Sequence, residues 1–354
     1  MLSNESINLF EEISSVHGVA GNERLVSEML RKYYEELSDD IIYDNLGSIY
    51  AVKKSKNVNA KRVMVSGHMD EIGFIINKFY DNGLIGALML GNIPKNSLLG
   101  ASVEAFNEKR HVFPGTILSI REDETVLDEK NNLIIDLGFM DKNQSETNLQ
   151  IGDTISFSSE FIRTSSGTIM CRNINGRYAP VIGIELLRAL DNIELPFDLY
   201  VGCTVQEQVG LRGIQTATNK VSPDLAIILE SNKSFDYQLN SEDKIGILGG
   251  GLLLTYYAKT VLPNRLLISE LKKLCDNNEI KYQYYYSLED SEAGWVNKLR
   301  TGCPSLFINI PVRNFNTPKS VISEEDFGSA REALIKFIEQ LDNNKIELFK
   351  SENR

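Results

Sequence analysis

Apolar residues recur along this chain with two periods, and the change of period marks out its architecture. Ile7, Leu9, Phe10 and Ile13 follow a helical spacing. After a break at Gly18–Glu23, a second helix over residues 23–37 sets Leu25, Val26, Met29, Leu30 and Tyr33 on one face. Residues 41–43, 48–52 and 63–65 are short apolar runs between turn residues and predict strands. From 77 to 161 only short strand-like runs occur, at 83–90, 102–106, 115–120, 132–137 and 153–157, with no helical period between them. That spacing predicts a small β-barrel, or in the simpler alternative a decorated loop region of the same domain.

Helical spacing returns at 178–190, and a strand follows at 197–205. An apolar run at 225–229 ends in Glu230, and Leu252–Leu254 follow three glycines at 249–251. A helix at 264–277, a strand at 305–310 and an amphipathic helix at 324–341 complete the pattern. The charged tail from Asp342 is expected to fray. The fold expectation is α/β: a mixed-sheet domain formed by 1–74 and 162–354, with a barrel inserted at 75–161. An apolar edge on such an insert would serve dimerisation.

Composition narrows the function. With 354 residues, 42% of them hydrophobic, the chain can bury one large core and a satellite. The net charge of −12 and the lack of a Lys/Arg stripe argue against a nucleic-acid partner. Cys171, Cys203, Cys275 and Cys303 show no close pairing, which predicts free thiols in a reducing compartment. No apolar run has the length of a signal peptide or a membrane span. The expectation is a cytoplasmic protein with no membrane partner.

Candidate chemistry gathers at strand ends. His68 and Asp70 lie two residues apart just beyond a buried strand, so their side chains point the same way. A carboxylate in that place orients a metal-ligating imidazole. The strand at Val205 leads to Glu207 and Gln208, that at Leu229 to Glu230, and that at Ile310 to Arg313 and Asn316. Open α/β sheets form their sites beyond such carboxyl ends.

The stretches at 66–74, 204–213, 224–230 and 311–318 resemble, in order, the motifs of the tetrahedral (TET) aminopeptidases, cytoplasmic glutamyl or deblocking enzymes also called endoglucanase M. Residues 18–23 and 175–177 fit as well, so the resemblance covers nearly the whole chain. It implies a split α/β zinc-aminopeptidase-like domain with a β-barrel insert used in dimers and twelve-subunit shells. It also implies two Zn²⁺ or Co²⁺ ions held by two histidines and three carboxylates. A further Glu takes a proton from the water that attacks the peptide carbonyl.

The match to that pattern is incomplete. His68 stands at the first histidine ligand, Asp70 at its orienting carboxylate and Glu207 at the water-activating Glu. The bridging Asp is Asn175, the carboxylate after Glu207 is Gln208, the next Asp ligand is Glu230 and the last His is Asn316. A Thr-Asp-Ala turn is replaced by Ser291-Glu292-Ala293, and the glycines before it are missing. One anionic ligand therefore stands where three are implied. An amide offers a single oxygen beside a donor NH₂, and it is a poor Zn²⁺ ligand. No dinuclear cofactor is expected, and at most one weakly held Zn or Co ion on His68 and Glu230, with Asp236 as a further donor.

His17 and His111 match no ligand motif, and Cys203 reads as a core thiol. Arg177 and Arg313 are candidates to bind a ligand carboxylate, to neutralise Glu207 or Glu230, or to form structural ion pairs. The glycines at 249–251 read as a turn, since the Lys of a phosphate loop is missing. The first functional expectation is a catalytically impaired or inactive homologue with a scaffold, regulatory or ligand-binding role. The alternative is an aminopeptidase working on short peptides with one metal or altered ligands. A third is a metal-free hydrolase or transferase using Glu207, Asp70 and Cys203. Expected partners are a short peptide or small molecule and further copies of the chain, as a dimer or larger shell.

Overall fold

The computed structural model describes residues 2–118, 132–238 and 240–352. Helices α1 (Asn4–Ser15) and α2 (Arg24–Leu37) lead into strands β1 (Asp40–Tyr43), β2 (Ile49–Lys53) and β3 (Arg62–His68). The chain then forms β4 (Gly73–Phe79), β5 (Ile85–Leu90), β6 (Ser102–Phe106), β7 (Val112–Ile117), β8 (Leu133–Asp136) and, after a short helix α3 (Lys142–Asn148), β9 (Thr154–Phe157). These six strands close into a barrel in the order β4-β5-β8-β7-β6-β9. The expected strand at 115–120 is β7, and its last two positions lie outside the described residues. Helix α3 goes unannounced by periodicity; it is a polar segment capped by the Asp141 carboxylate.

Strands β10 (Ile162–Arg163) and β11 (Thr168–Cys171) return the chain to helix α4 (Ile174–Ala189). Then come β12 (Asp198–Thr204), α5 (Arg212–Val221), β13 (Leu225–Ile228), β14 (Ser231–Lys233), β15 (Leu252–Ala258), α6 (Arg265–Asn277) and β16 (Tyr282–Ser287). The chain ends with α7 (Ala293–Lys298), β17 (Ser305–Phe307), β18 (Ile310–Val312), β19 (Ser320–Ser323), α8 (Glu324–Glu339) and α9 (Asn343–Ser351). The run expected as one strand at 305–310 is thus divided between β17 and β18.

A six-stranded sheet in the order β1-β2-β12-β3-β13-β17 is the frame. Strands β12, β3, β13 and β17 run parallel, and β2 joins β12 antiparallel. Alternation along β3 assigns its residues to two cores. Val63 and Val65 face the larger one with α1, α2, α4, α8 and α9, while Met64 faces a smaller one with α5 and α7. The sheet is therefore covered on both sides, as the run of apolar strands requires.

The tail does not fray. The Asp342 carboxylate caps α9, and Ile346 and Phe349 are buried in the larger core. Two apolar residues three apart anchor a segment that reads as purely charged.

Candidate functional site

The parallel strands end on one side of the sheet, and the polar residues that follow them meet in a cleft of about 480 Å³. His68, Asn175, Glu207, Gln208, Glu230 and Asn316 all line it. These came from five separate stretches of sequence, so the convergence inferred from strand ends is realised.

His68 closes β3 and is almost wholly buried. Its Nδ1 donates to the Asp70 main-chain carbonyl at 3.0 Å, while the Asp70 carboxylate lies 3.7 Å away. Asp70 thus fixes the tautomer through its backbone. Its side chain does something else: it accepts the N–H of Glu207 at 2.9 Å and of Gln208 at 3.0 Å. Those residues follow Gln206, which has a positive φ of 57°. Asp70 therefore pins a turn whose backbone is disfavoured for a residue with a Cβ.

Helix α4 brings Asn175 up to this turn. A Cβ on Gly176 would stand 2.0 Å from the Asp70 carbonyl oxygen, so only glycine lets the first turn of α4 pass there. The Asn175 carbonyl oxygen accepts the Ser231 hydroxyl at 2.8 Å, and its NH₂ donates to Asn316 at 3.4 Å. Asn316 in turn donates to the Asn92 carbonyl at 3.3 Å.

Glu230 accepts the Ser291 hydroxyl at 2.7 Å and the Glu292 N–H at 2.9 Å. Glu292 is fully buried; one of its oxygens accepts the Thr204 hydroxyl, and the other, Oε2, has no hydrogen-bond partner in the structure. Burial pushes Glu292 up to about 8, only partly opposed by His68 and Thr204. Burial likewise raises Glu230. For His68, burial acts downward, but Glu207, Asp70 and Glu292 outweigh it and raise the imidazole to about 10. Burial raises Glu207 to about 7 against the opposing pull of His68. This pocket gathers several carboxyl groups around one imidazole. Ligand atoms of His68, Asp70 and Glu207 all lie within 4.8 Å of one another, the arrangement a single cation would need.

Two expected ligand-binding arginines lie elsewhere. Arg177 is fully buried, and its guanidinium donates to the carbonyls of Ile13, Val16 and Met69 and pairs with Glu71 at 3.2 Å. It ties the α1–α2 connection to the residue after His68 and has no donor facing the cleft. Arg313 is exposed and grips both oxygens of Asp236, outside the cleft wall. The same pair removes Asp236 as a donor for an ion on His68. Cys203 is a buried thiol, pushed well up by burial, and takes no part in the cleft.

Sequence reasoning placed Glu292 only in a substituted turn, without a role in the cleft, and passed over Trp295 and Lys298. Trp295 and Lys298 line the cleft with the ammonium 4.0 Å from the ring centroid. A carboxylate placed directly ahead of the apolar turn Ala293-Gly294-Trp295-Val296 was the available signal for Glu292.

Comparison with known proteins identifies the fold and the family. Residues 47–332 match the family described as M42 glutamyl aminopeptidase. A putative aminopeptidase of Acetivibrio thermocellus is 27% identical, over 96% of this chain and all of its own. The crystal structure of a TET aminopeptidase from the marine sediment archaeon Thaumarchaeota archaeon SCGC AB-539-E09 superimposes with a TM-score of 0.92 at 28% identity, covering 98% of this chain and all of that one. A Pyrococcus horikoshii TET1 peptidase that can assemble into a tetrahedron or a large octahedral shell has the same fold, with a TM-score of 0.84 at 21% identity over 95% of this chain and all of that one.

Proposed function

Because the chain belongs to the M42 glutamyl aminopeptidase family, we propose that it keeps a peptide-sized cleft while lacking a pair of metal ions, and binds short peptides without cleaving them at family rates. The observation that carries this reading is the hydrogen-bonded run from Ser231 through Asn175 and Asn316 to Asn92. A bridging position needs two anionic oxygens. Asn175 has one neutral oxygen, already accepting a hydroxyl, and an NH₂ that would face a cation with its positive end. Gln208 and Asn316 weaken the donor set in the same way. Asn175 and Asn316 bond to each other, to the Ser231 hydroxyl and to the Asn92 carbonyl, so these two amides do not depend on an ion for their partners.

In this reading residues 75–161 act as an assembly module on an aminopeptidase-like body of 1–74 and 162–354. Shell formation by a TET peptidase of the same fold supports association between copies. Among the described residues no helix is long and apolar enough to cross a membrane. The four cysteines are buried free thiols, which suits a reducing cytoplasm.

Elemental analysis of the purified protein, run beside cleavage of aminoacyl-p-nitroanilides with added Zn²⁺, Co²⁺ or Mn²⁺, tests the reading. Trace metal and negligible turnover are expected. Two ions per chain with rapid cleavage would end it.

One observation favours a second reading, an aminopeptidase with a single ion. His68, Asp70 and Glu207 are close enough to hold one. Bound there, an ion would supply a Lewis acid to polarise a peptide carbonyl. That reading requires about one ion per chain and loss of both metal and activity in Glu207→Gln.

A further inference from the structure

Beside the cleft lies a second cavity of about 640 Å³, within the usual size range of ligand sites. The two share the side chains of Asn232, Glu289 and Phe315. The chemistry differs between them. The first is edged by Glu207, Glu230, His68 and amides. The second is lined by Phe235, Ile245, Tyr285 and Leu288 as well as the shared Phe315, alongside the exposed polar residues Gln238, Glu242 and Asp243. Tyr285 is buried and its hydroxyl is already committed to the Lys233 carbonyl at 2.9 Å, so it offers the cavity a ring face. Leu288 is 69% exposed, an apolar side chain held at the rim with nothing packed over it.

Strand β14 connects the two. Ser231 and Asn232 line the cleft, and Asn232 and Lys233 line the second cavity. An extended chain advances about 3.3 Å per residue, so the step from Ser231 to Lys233 is about 7 Å, the span of two residues of a bound extended peptide. Charge sets the direction. Glu289 and Asp290 are paired with Lys233 and Lys259, and Glu242 and Asp243 beside the second cavity are exposed and solvated, so the half-buried Glu207 and Glu230 are the carboxylates that meet an ammonium group inside the cleft.

Resting on the peptide-binding reading above, we propose that the second cavity is a side-chain site for the third residue of a peptide whose amino terminus sits in the cleft, and that it takes an aromatic or large apolar side chain. Burial of a phenyl ring against Phe235, Tyr285, Leu288 and Phe315 gives the selectivity, and the Lys233–Glu289 pair stays at the mouth where it remains solvated.

The test is calorimetric titration, in EDTA, of the full chain with Ala-Ala-Phe-amide, Ala-Ala-Gly-amide and Ala-Phe-Ala-amide. Leu288→Asp serves as the altered protein, because that exposed side chain can change without disturbing the core. Ala-Ala-Phe-amide is expected to bind at least about tenfold tighter than the other two. Leu288→Asp should remove most of that advantage and leave the glycine peptide unchanged. Equal affinities for the first two peptides, a preference for Phe at the second position, or an advantage that survives Leu288→Asp would each overturn the assignment. Should none of the three peptides bind, the peptide-binding reading itself falls, and this site with it.

Discussion

The Asp70 carboxylate holds Glu207 from behind: its Oδ1 accepts the Glu207 N–H at 2.9 Å while the Asp70 carbonyl anchors the ring of His68. One residue therefore sets the position of both the imidazole and the carboxylate in the cleft, through two different atoms. Its other oxygen accepts from Gln208 at 3.0 Å, so both carboxylate oxygens are engaged.

Replacing Asp70 with Asn should expose this arrangement. The amide keeps the shape but presents one acceptor and one donor to two N–H groups, so one N–H of this half-buried turn loses its partner and faces a donor instead. A buried donor left unpaired costs about 1–3 kcal/mol. The urea midpoint should fall by a corresponding amount with an unchanged m value. An unaltered midpoint would mean that the turn at Glu207 is held by something else.

Helix α9 gives a second expectation. Phe349 is buried in the larger core, and its carbonyl accepts from the Asn264 side chain at 3.0 Å. Truncating a buried phenyl ring to a methyl group costs about 3–5 kcal/mol. Phe349→Ala should show that loss in denaturant unfolding, whereas the neighbouring exposed Leu348→Ala should cost little. A frayed tail would leave both variants at the stability of the parent.

These residues also show how far the sequence can be read. Strands followed by His68, Glu207 and Glu230 were legible because a parallel sheet delivers its strand ends to one place, whereas Asn316 follows β18, which pairs with β14 outside that sheet. The two arginines were left between ligand binding and structural pairing for the opposite reason. Arg177 lies two residues past Asn175, and a helical position says nothing about whether a long side chain reaches forward into a cleft or back into a core. Its partners are carbonyls of Ile13, Val16 and Met69, which no side-chain pattern announces. Helix α9 was hidden because seven polar or exposed positions surround its two anchors. Glu292 was seen as a substituted turn residue, while its burial against Thr204 depends on a contact 88 positions away.

His17 links the body to the barrel and should make that link sensitive to acid. Its ring stacks on Phe106 with centroids 3.7 Å apart, and its Nε2 lies 2.9 Å from the Thr154 hydroxyl. Its Nδ1 is buried without a partner. Burial lowers its pKa to about 4, with Arg172 and Arg177 adding to the effect and Glu71 opposing it. As pH falls below 6.5 the unfolded chain takes up this proton while the folded one does not, so stability is lost between about 6.5 and 4. A difference of that size is on the order of 3 kcal/mol in full. His17→Phe keeps the stacking and removes the proton site. The gap in melting temperature between parent and variant should therefore shift in favour of the variant as pH drops from 7 to 4. A gap that stays constant over that range would show that His17 does not titrate differently on folding.

The last expectation concerns charge at the amide-filled positions. Asn175→Asp, Gln208→Glu and Asn316→His together would restore two anionic ligands and one imidazole around His68, Glu207 and Glu230. Position 316 has a positive φ of 56°, a conformation that His tolerates better than most residues, so the backbone need not rebuild. Without metal, the triple variant adds carboxylates to a pocket that already raises Glu207 and Glu230 by burial. It should melt below the parent in EDTA. With Zn²⁺ at about a thousandfold above the dissociation constant, binding to the folded state alone returns about 4 kcal/mol. The variant should then melt above its own EDTA value by a margin that the parent does not show, and should carry about two ions per chain on elemental analysis, as two-metal sites do. If the parent is stabilised by Zn²⁺ to the same extent, the amides were never the obstacle, and the electrostatic account of this cleft is wrong.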